Sequence, residues 1–152
     1  ADDSVLWFTE GATVYYSYLI LRRAGIISDD QYAAIRARIG ERFAANPYRR
    51  TVPLAEAAND DLGDKEMVNL LYDGGMLAAE TLDRHIALAT GGSRGLIDVL
   101  RLLYETNPHG GRVGEREIAD AASRVAGRDL SEFIVRLIRE PASLPSDPDV
   151  SA

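Results

Sequence analysis

Apolar residues recur at three- and four-residue intervals along nearly the whole chain, and alternating β-branched runs are missing, so the pattern predicts an all-α array. The helix boundaries are as legible as the helices. Ser4 to about Ala24 reads as a first helix closed by Gly25. Ser28-Asp29-Asp30-Gln31 has the form of a capping box, with Ser28 at the N-cap and Gln31 at the third position, and it opens a second helix to about Ala45. Asn46-Pro47-Tyr48-Arg49-Arg50 breaks the chain, and Pro53 suits the first turn of a short helix through about Asn59. Asp64 caps a long helix that runs to about Thr90, with Gly74-Gly75 as a place where it can bend. Gly91-Gly92 ends it, and Ser93 is expected to cap a helix to about Glu105. After the turn-rich Asn107-Pro108-His109-Gly110-Gly111 come helices from about Glu115 to Val125 and, behind an Asp129-x-x-Glu132 box, from about Leu130 to Arg139. The helical body therefore spans 1–140, and the proline-rich segment 141–152 reads as a linker or tail. No repeat of fixed period is present.

The first helix departs from the amphipathic pattern of the others. Val5, Leu6, Trp7, Phe8, Ala12, Val14, Tyr15, Tyr16, Tyr18, Leu19, Ile20 and Leu21 cover almost its whole circumference, as in a helix buried on all sides. Such a helix expects neighbours from more polypeptide than this chain contains. Alone, the chain should expose apolar surface, and a homo-dimer through that surface is one expected consequence. Tyr15, Tyr16 and Tyr18 could line a substrate groove, but a stripe at helical spacing is more often core, and most of the three are expected there.

Composition narrows the function classes. With 152 residues, 46% hydrophobic and 27% charged, the chain has the length and balance of one globular domain. Its 17 basic and 24 acidic side chains leave a net charge of −7, and no Lys/Arg cluster opposes that background, which argues against a nucleic-acid partner. No run of 18 apolar residues marks a membrane segment. Cysteine is absent, so thiolate chemistry is excluded and the compartment, cytoplasmic or periplasmic, stays open.

The chemistry concentrates in Trp7-Phe8-Thr9-Glu10-Gly11, where an ionisable side chain sits among aromatics and needs a partner. Two readings of Glu10 stand side by side. Near a helix N-terminus an acidic side chain is favoured by the helix dipole and can reach water. A glutamate can also be the third ligand of a catalytic zinc held by two histidines, with a fourth position open. His85 and His109 are the only histidines, and neither has a glutamate or a second histidine at metal-binding spacing, so both read as structural or solvated. Asp29-Asp30 serves capping, Asn59-Asp60-Asp61 belongs to a loop, and Arg49-Arg50 to a solvated turn.

The segment Leu6-Trp7-Phe8-Thr9-Glu10-Gly11-Ala12-Thr13-Val14-Tyr15-Tyr16 resembles the glycyl aminopeptidase family of metallopeptidases, in the gluzincin clan. The similarity continues through Leu21 to Ser28, Leu54-Ala55-Glu56-Ala57, Leu71-Tyr72-Asp73-Gly74-Gly75-Met76-Leu77-Ala78 and Leu82-Asp83. It extends to Gly95 to Arg101 and Ala126-Gly127-Arg128-Asp129-Leu130-x-x-Phe133, with Leu144-Pro145 where such enzymes pass toward a PDZ-type domain. Two stretches depart from the family pattern. Gly74 stands where lysine is usual, and Ala58-Asn59-Asp60-Asp61-Leu62 replaces a usual Ser-x-x-x-Trp-like stretch.

The resemblance implies a fold, a reaction and two roles. The chain would be the C-terminal half of a thermolysin-like catalytic domain that hydrolyses N-terminal peptide bonds. Glu10 would complete a zinc site, and Tyr72, which matches the tyrosine of a YxKG-like motif, would stabilise the oxyanion of the tetrahedral intermediate. The HExxH helix of such enzymes is not in this chain. It is expected upstream, in an N-terminal half of the catalytic domain that would be this chain's partner. The chain alone is then expected to bind no zinc and to be inactive toward peptide substrates. The competing class is a non-catalytic helical interaction module on a peptidase-derived scaffold.

Overall fold

A computed structural model describes residues 3–57, 63–107, 113–141 and 144. Within these residues every regular element is helical: α1 (Leu6–Arg23), α2 (Asp29–Ala45), α3 (Lys65–Ala89), α4 (Leu96–Thr106), α5 (Glu115–Ala126) and α6 (Ser131–Arg139). Single 3-10 turns lie at Asp3–Val5 and Leu54–Glu56. The long central α3 carries the core. It packs most extensively on α1, then on α2, and contacts α4, α5 and α6 as well.

Most predicted boundaries hold, for identifiable local reasons. At the end of α1, Gly25 takes a φ of +70°. The N–H of Gly25 donates to the Arg22 carbonyl at 3.0 Å and that of Ile26 to the Leu21 carbonyl at 2.9 Å. This two-bond lock satisfies carbonyls that the helix leaves open. The Ser28–Gln31 capping box forms in both directions, at 2.8 and 3.1 Å. Asp64 accepts the Glu66 and Met67 N–H groups at the start of α3 and also the Tyr48 hydroxyl at 2.6 Å, so one carboxylate ties the α2–α3 connection to the helix it caps. Three of these donors hold its pKa below the usual carboxylate range, the Tyr48 hydrogen bond foremost.

Three boundaries differ from the sequence pattern. The helix expected after Pro53 is a single 3-10 turn, Leu54–Glu56, and positions 58 and 59 of its expected span lie outside the described residues. Helix α4 starts at Leu96 rather than behind Ser93, because Asp98 reaches back to accept the Gly95 N–H at 3.0 Å and Asp83 of α3 accepts the Leu96 N–H at 2.7 Å. A tertiary carboxylate thus replaces the local serine cap. At α6, Leu130 is the N-cap, and Asp129 accepts the Ser131 N–H at 2.9 Å, so the Asp129–Glu132 box is not formed. Helix α3 runs unbroken through Gly74-Gly75.

Helix α1 fills the role its composition forecast only on one side. Trp7, Phe8, Gly11, Ala12 and Tyr15 are buried, whereas Leu6, Val14, Tyr16, Tyr18 and Leu19 are half-buried and Ile20 is 61% exposed. In the following segment Leu144 is buried against the core, close to Phe43, Leu54 and Leu137. The segment 145–152 lies outside the described residues.

Candidate functional site

The site is built where two helix backbones touch. A Cβ placed on Gly11 of α1 would stand 2.2 Å from the backbone carbon and oxygen of Gly75 on α3, and one on Gly75 would stand 2.7 Å from the Trp7 carbonyl oxygen. No side chain can be accommodated at such spacings, so this crossing requires glycine on both helices. Glu10 precedes Gly11 by one residue and Tyr72 precedes Gly75 by three, so both functional candidates lie within about one helical turn, roughly 5.4 Å, of the contact.

The two side chains are close enough to interact electrostatically. Tyr72 is 40% exposed and Glu10 is half-buried. The Glu10 charge pushes the Tyr72 phenol pKa upward, with burial and a hydrogen bond to Glu10 adding to the effect. At neutral pH the phenol therefore stays protonated and available as a donor, with an open face toward solvent.

Behind this pair, buried ionic contacts fix α3. Asp73, next to Tyr72 and 4% exposed, receives a two-pronged hydrogen bond from Arg42 of α2. One turn and more along, Arg36 of α2 donates to Glu80 at 2.6 Å, both groups nearly enclosed. Further on, Asp83 accepts the Tyr15 hydroxyl at 2.7 Å as well as the Leu96 N–H, joining α1, α3 and α4 through one carboxylate. Burial and the Asp83 charge push the Tyr15 phenol far above its ordinary range. Of the three tyrosines placed in the core on sequence grounds, Tyr15 is buried, and Tyr16 and Tyr18 are half-buried. Tyr16 also lines an open groove of about 890 Å³ between α1 and the start of α4, together with Phe8, Ala12, Leu19, Ile20 and Ile97.

Gly74 faces the other way from Gly75. A Cβ there would lie 2.9 Å from Leu54 Cδ1 and 3.2 Å from Phe43 Cε2, so those two side chains occupy the room that a longer residue would need. The departure at this position is thereby matched by its packing partners. The second departure, Ala58 to Leu62, lies outside the described residues.

His85 is not part of the pair. His85 stacks on Phe133 with ring centroids 4.0 Å apart. It sits thirteen residues beyond Tyr72 on the same helix, about 20 Å along its axis. His109 lies outside the described residues. Among the described residues no group of three or more histidines, aspartates and glutamates comes together. The donor set therefore fits one corner of a zinc site, the Glu10 carboxylate, and not a complete one.

The residues missed by sequence reasoning are the ionic partners. Arg42–Asp73, Arg36–Glu80 and Tyr15–Asp83 join positions 31, 44 and 68 residues apart, and no local pattern carries such separations.

Over its described residues the chain is thus a helical scaffold that places a carboxylate near a phenol. Comparison with family models identifies its kind: residues 1–82 match the M61 glycyl aminopeptidase family, and the chain belongs to that family. The match includes both Glu10 and Tyr72. No curated protein and no solved structure matches the chain.

Proposed function

We propose that this chain is the helical C-terminal part of a thermolysin-like zinc aminopeptidase domain, contributing Glu10 as a metal ligand and Tyr72 as an oxyanion donor. The observation that carries the proposal is the glycine–glycine helix contact that brings Glu10 and Tyr72, 62 residues apart in sequence, within electrostatic reach of each other. Two further ligands would come from imidazoles on polypeptide that precedes this chain. Zinc, when held there, supplies the Lewis acidity that hydrolysis of an N-terminal peptide bond needs.

What this chain's residues do follows from their placement. Glu10 offers a half-buried carboxylate on α1 that is partly open to solvent among the described residues. Tyr72, kept protonated by its acidic neighbour, donates a hydrogen bond to the oxygen on which negative charge develops as water adds to the scissile carbonyl. A donor preorganised in this way contributes about 10²–10³-fold in rate. The peptide substrate is expected to lie along the open side of Tyr72, with its free amine recognised by residues outside this chain.

The test uses a longer protein that carries an HExxH helix upstream of Ala1, assayed with an aminoacyl chromogenic substrate. Tyr72→Phe should lower kcat about 10²–10³-fold, and Glu10→Gln should remove most activity. Undiminished hydrolysis by either variant would refute the corresponding role.

A further inference from the structure

Two neighbouring glycines on α3 meet different neighbours, and only one of them faces the helix that carries Glu10. Gly75 looks toward α1, where its prospective Cβ would stand 2.7 Å from the Trp7 carbonyl oxygen and 3.0 Å from Gly11 Cα. Gly74 looks toward Leu54 and Phe43. The close approach at Gly75 involves backbone on both sides, which cannot rotate out of the way as a side chain can. Any Cβ at 11 or 75 must therefore push α1 and α3 apart or slide one along the other. Glu10 and Tyr72 are carried on those same turns, so displacement at the contact passes directly into their separation.

We infer that Gly11 and Gly75 are positioning residues, a backbone-to-backbone clamp that sets the register of α1 on α3 and thereby holds the Glu10 carboxylate against the Tyr72 hydroxyl. The value of this clamp to catalysis rests on the roles proposed for Glu10 and Tyr72, whereas the clamp itself does not. Catalytic groups lose rate steeply when misplaced by as little as 1 Å, about 10²-fold, so a contact that excludes every side chain is a strict means of fixing them. The ion pairs behind α3 cannot do this, because Arg42–Asp73 and Arg36–Glu80 bind α2 to α3 and leave α1 free to slide. The Tyr15–Asp83 bond does join α1 to α3, but it lies eleven residues beyond Tyr72 on α3, some 16 Å away along the helix.

The experiment is a set of nuclear Overhauser measurements on this chain with isotope-labelled glycine and tyrosine, without metal or substrate. In the unmodified protein a contact between the Gly11 and Gly75 α-protons should be present, together with contacts from the Tyr72 ring to α1. Gly75→Ala should remove or weaken the Tyr72-to-α1 contacts, whereas Gly74→Ala, which strains a different contact on the same helix, should leave them in place. The inference fails if folded Gly75→Ala keeps the Tyr72-to-α1 contacts of the unmodified chain, or if Gly74→Ala weakens them equally. If the alanine variants do not fold, the α-proton contact in the unmodified chain decides, and its absence overturns the clamp. Failure of the peptidase roles would appear in the activity assay of the longer protein and would leave these contacts unchanged.

Discussion

A carboxylate held against a phenol can be interrogated from either side. Replacing Glu10 with Gln removes the charge that chiefly raises the Tyr72 pKa, so the phenol should titrate closer to about 10. Titration of the labelled ring checks this, and an unchanged midpoint would mean that the two groups do not interact. His85 gives a second residue-scale prediction. Burial, and then Arg128, hold its pKa below the usual imidazole value. The unfolded state therefore binds a proton more readily than the folded one, so the stability contribution is complete above about pH 6.5 and is lost as pH falls through the depressed folded value. His85→Phe, which can keep the stack on Phe133, should make the melting temperature depend less on pH between about 7 and 5. Both candidate side chains could be singled out in the sequence, because Trp-Phe-Thr-Glu-Gly and Tyr-Asp-Gly-Gly are local patterns. Their partners could not. Asp83 is an ordinary helix position in sequence, and only the fold brings Tyr15 and the Leu96 N–H to it.

At the scale of the elements, helix ends obey local chemistry until a tertiary group supplies a better cap. Gly25 and Ser28 act where their sequence signals place them, whereas Ser93 loses its role to Asp98 and Asp83. That substitution is invisible in sequence, since one of the two carboxylates comes from another helix. Gly127 closes α5 at a φ of +69° with nothing within 4 Å of a prospective Cβ, so its requirement is conformational alone. Gly127→Ala should cost about 1 kcal/mol, which for a chain of this size lowers the melting temperature by about 2–4 °C. Gly75→Ala should cost more, because it meets backbone on the facing helix. Equal losses at the two positions, measured by thermal unfolding, would argue against the tight α1–α3 contact. The continuity of α3 through Gly74-Gly75 has the same origin: packing on both sides holds a helix that the glycine pair alone would permit to bend.

The molecule as a whole is an all-helical body of the M61 glycyl aminopeptidase family with one helix incompletely covered. The all-round apolar character of α1 was legible in sequence, and among the described residues the side left open is the one at Ile20 and the groove toward α4. In the proposed longer enzyme that side is covered by preceding polypeptide. Ile20→Asp should then change the stability of this chain by no more than about 0.5 kcal/mol, yet destabilise the longer protein by several times as much. Comparable effects in both would place the partner elsewhere. The central claim is that Glu10 serves a metal shared with groups outside this chain, and zinc binding to the longer protein, followed by equilibrium dialysis, tests it most directly. The account predicts one tightly held zinc per chain, affinity reduced at least tenfold by Glu10→Gln, and affinity unaltered by Tyr72→Phe. Zinc held as tightly by Glu10→Gln as by the unmodified protein would contradict it.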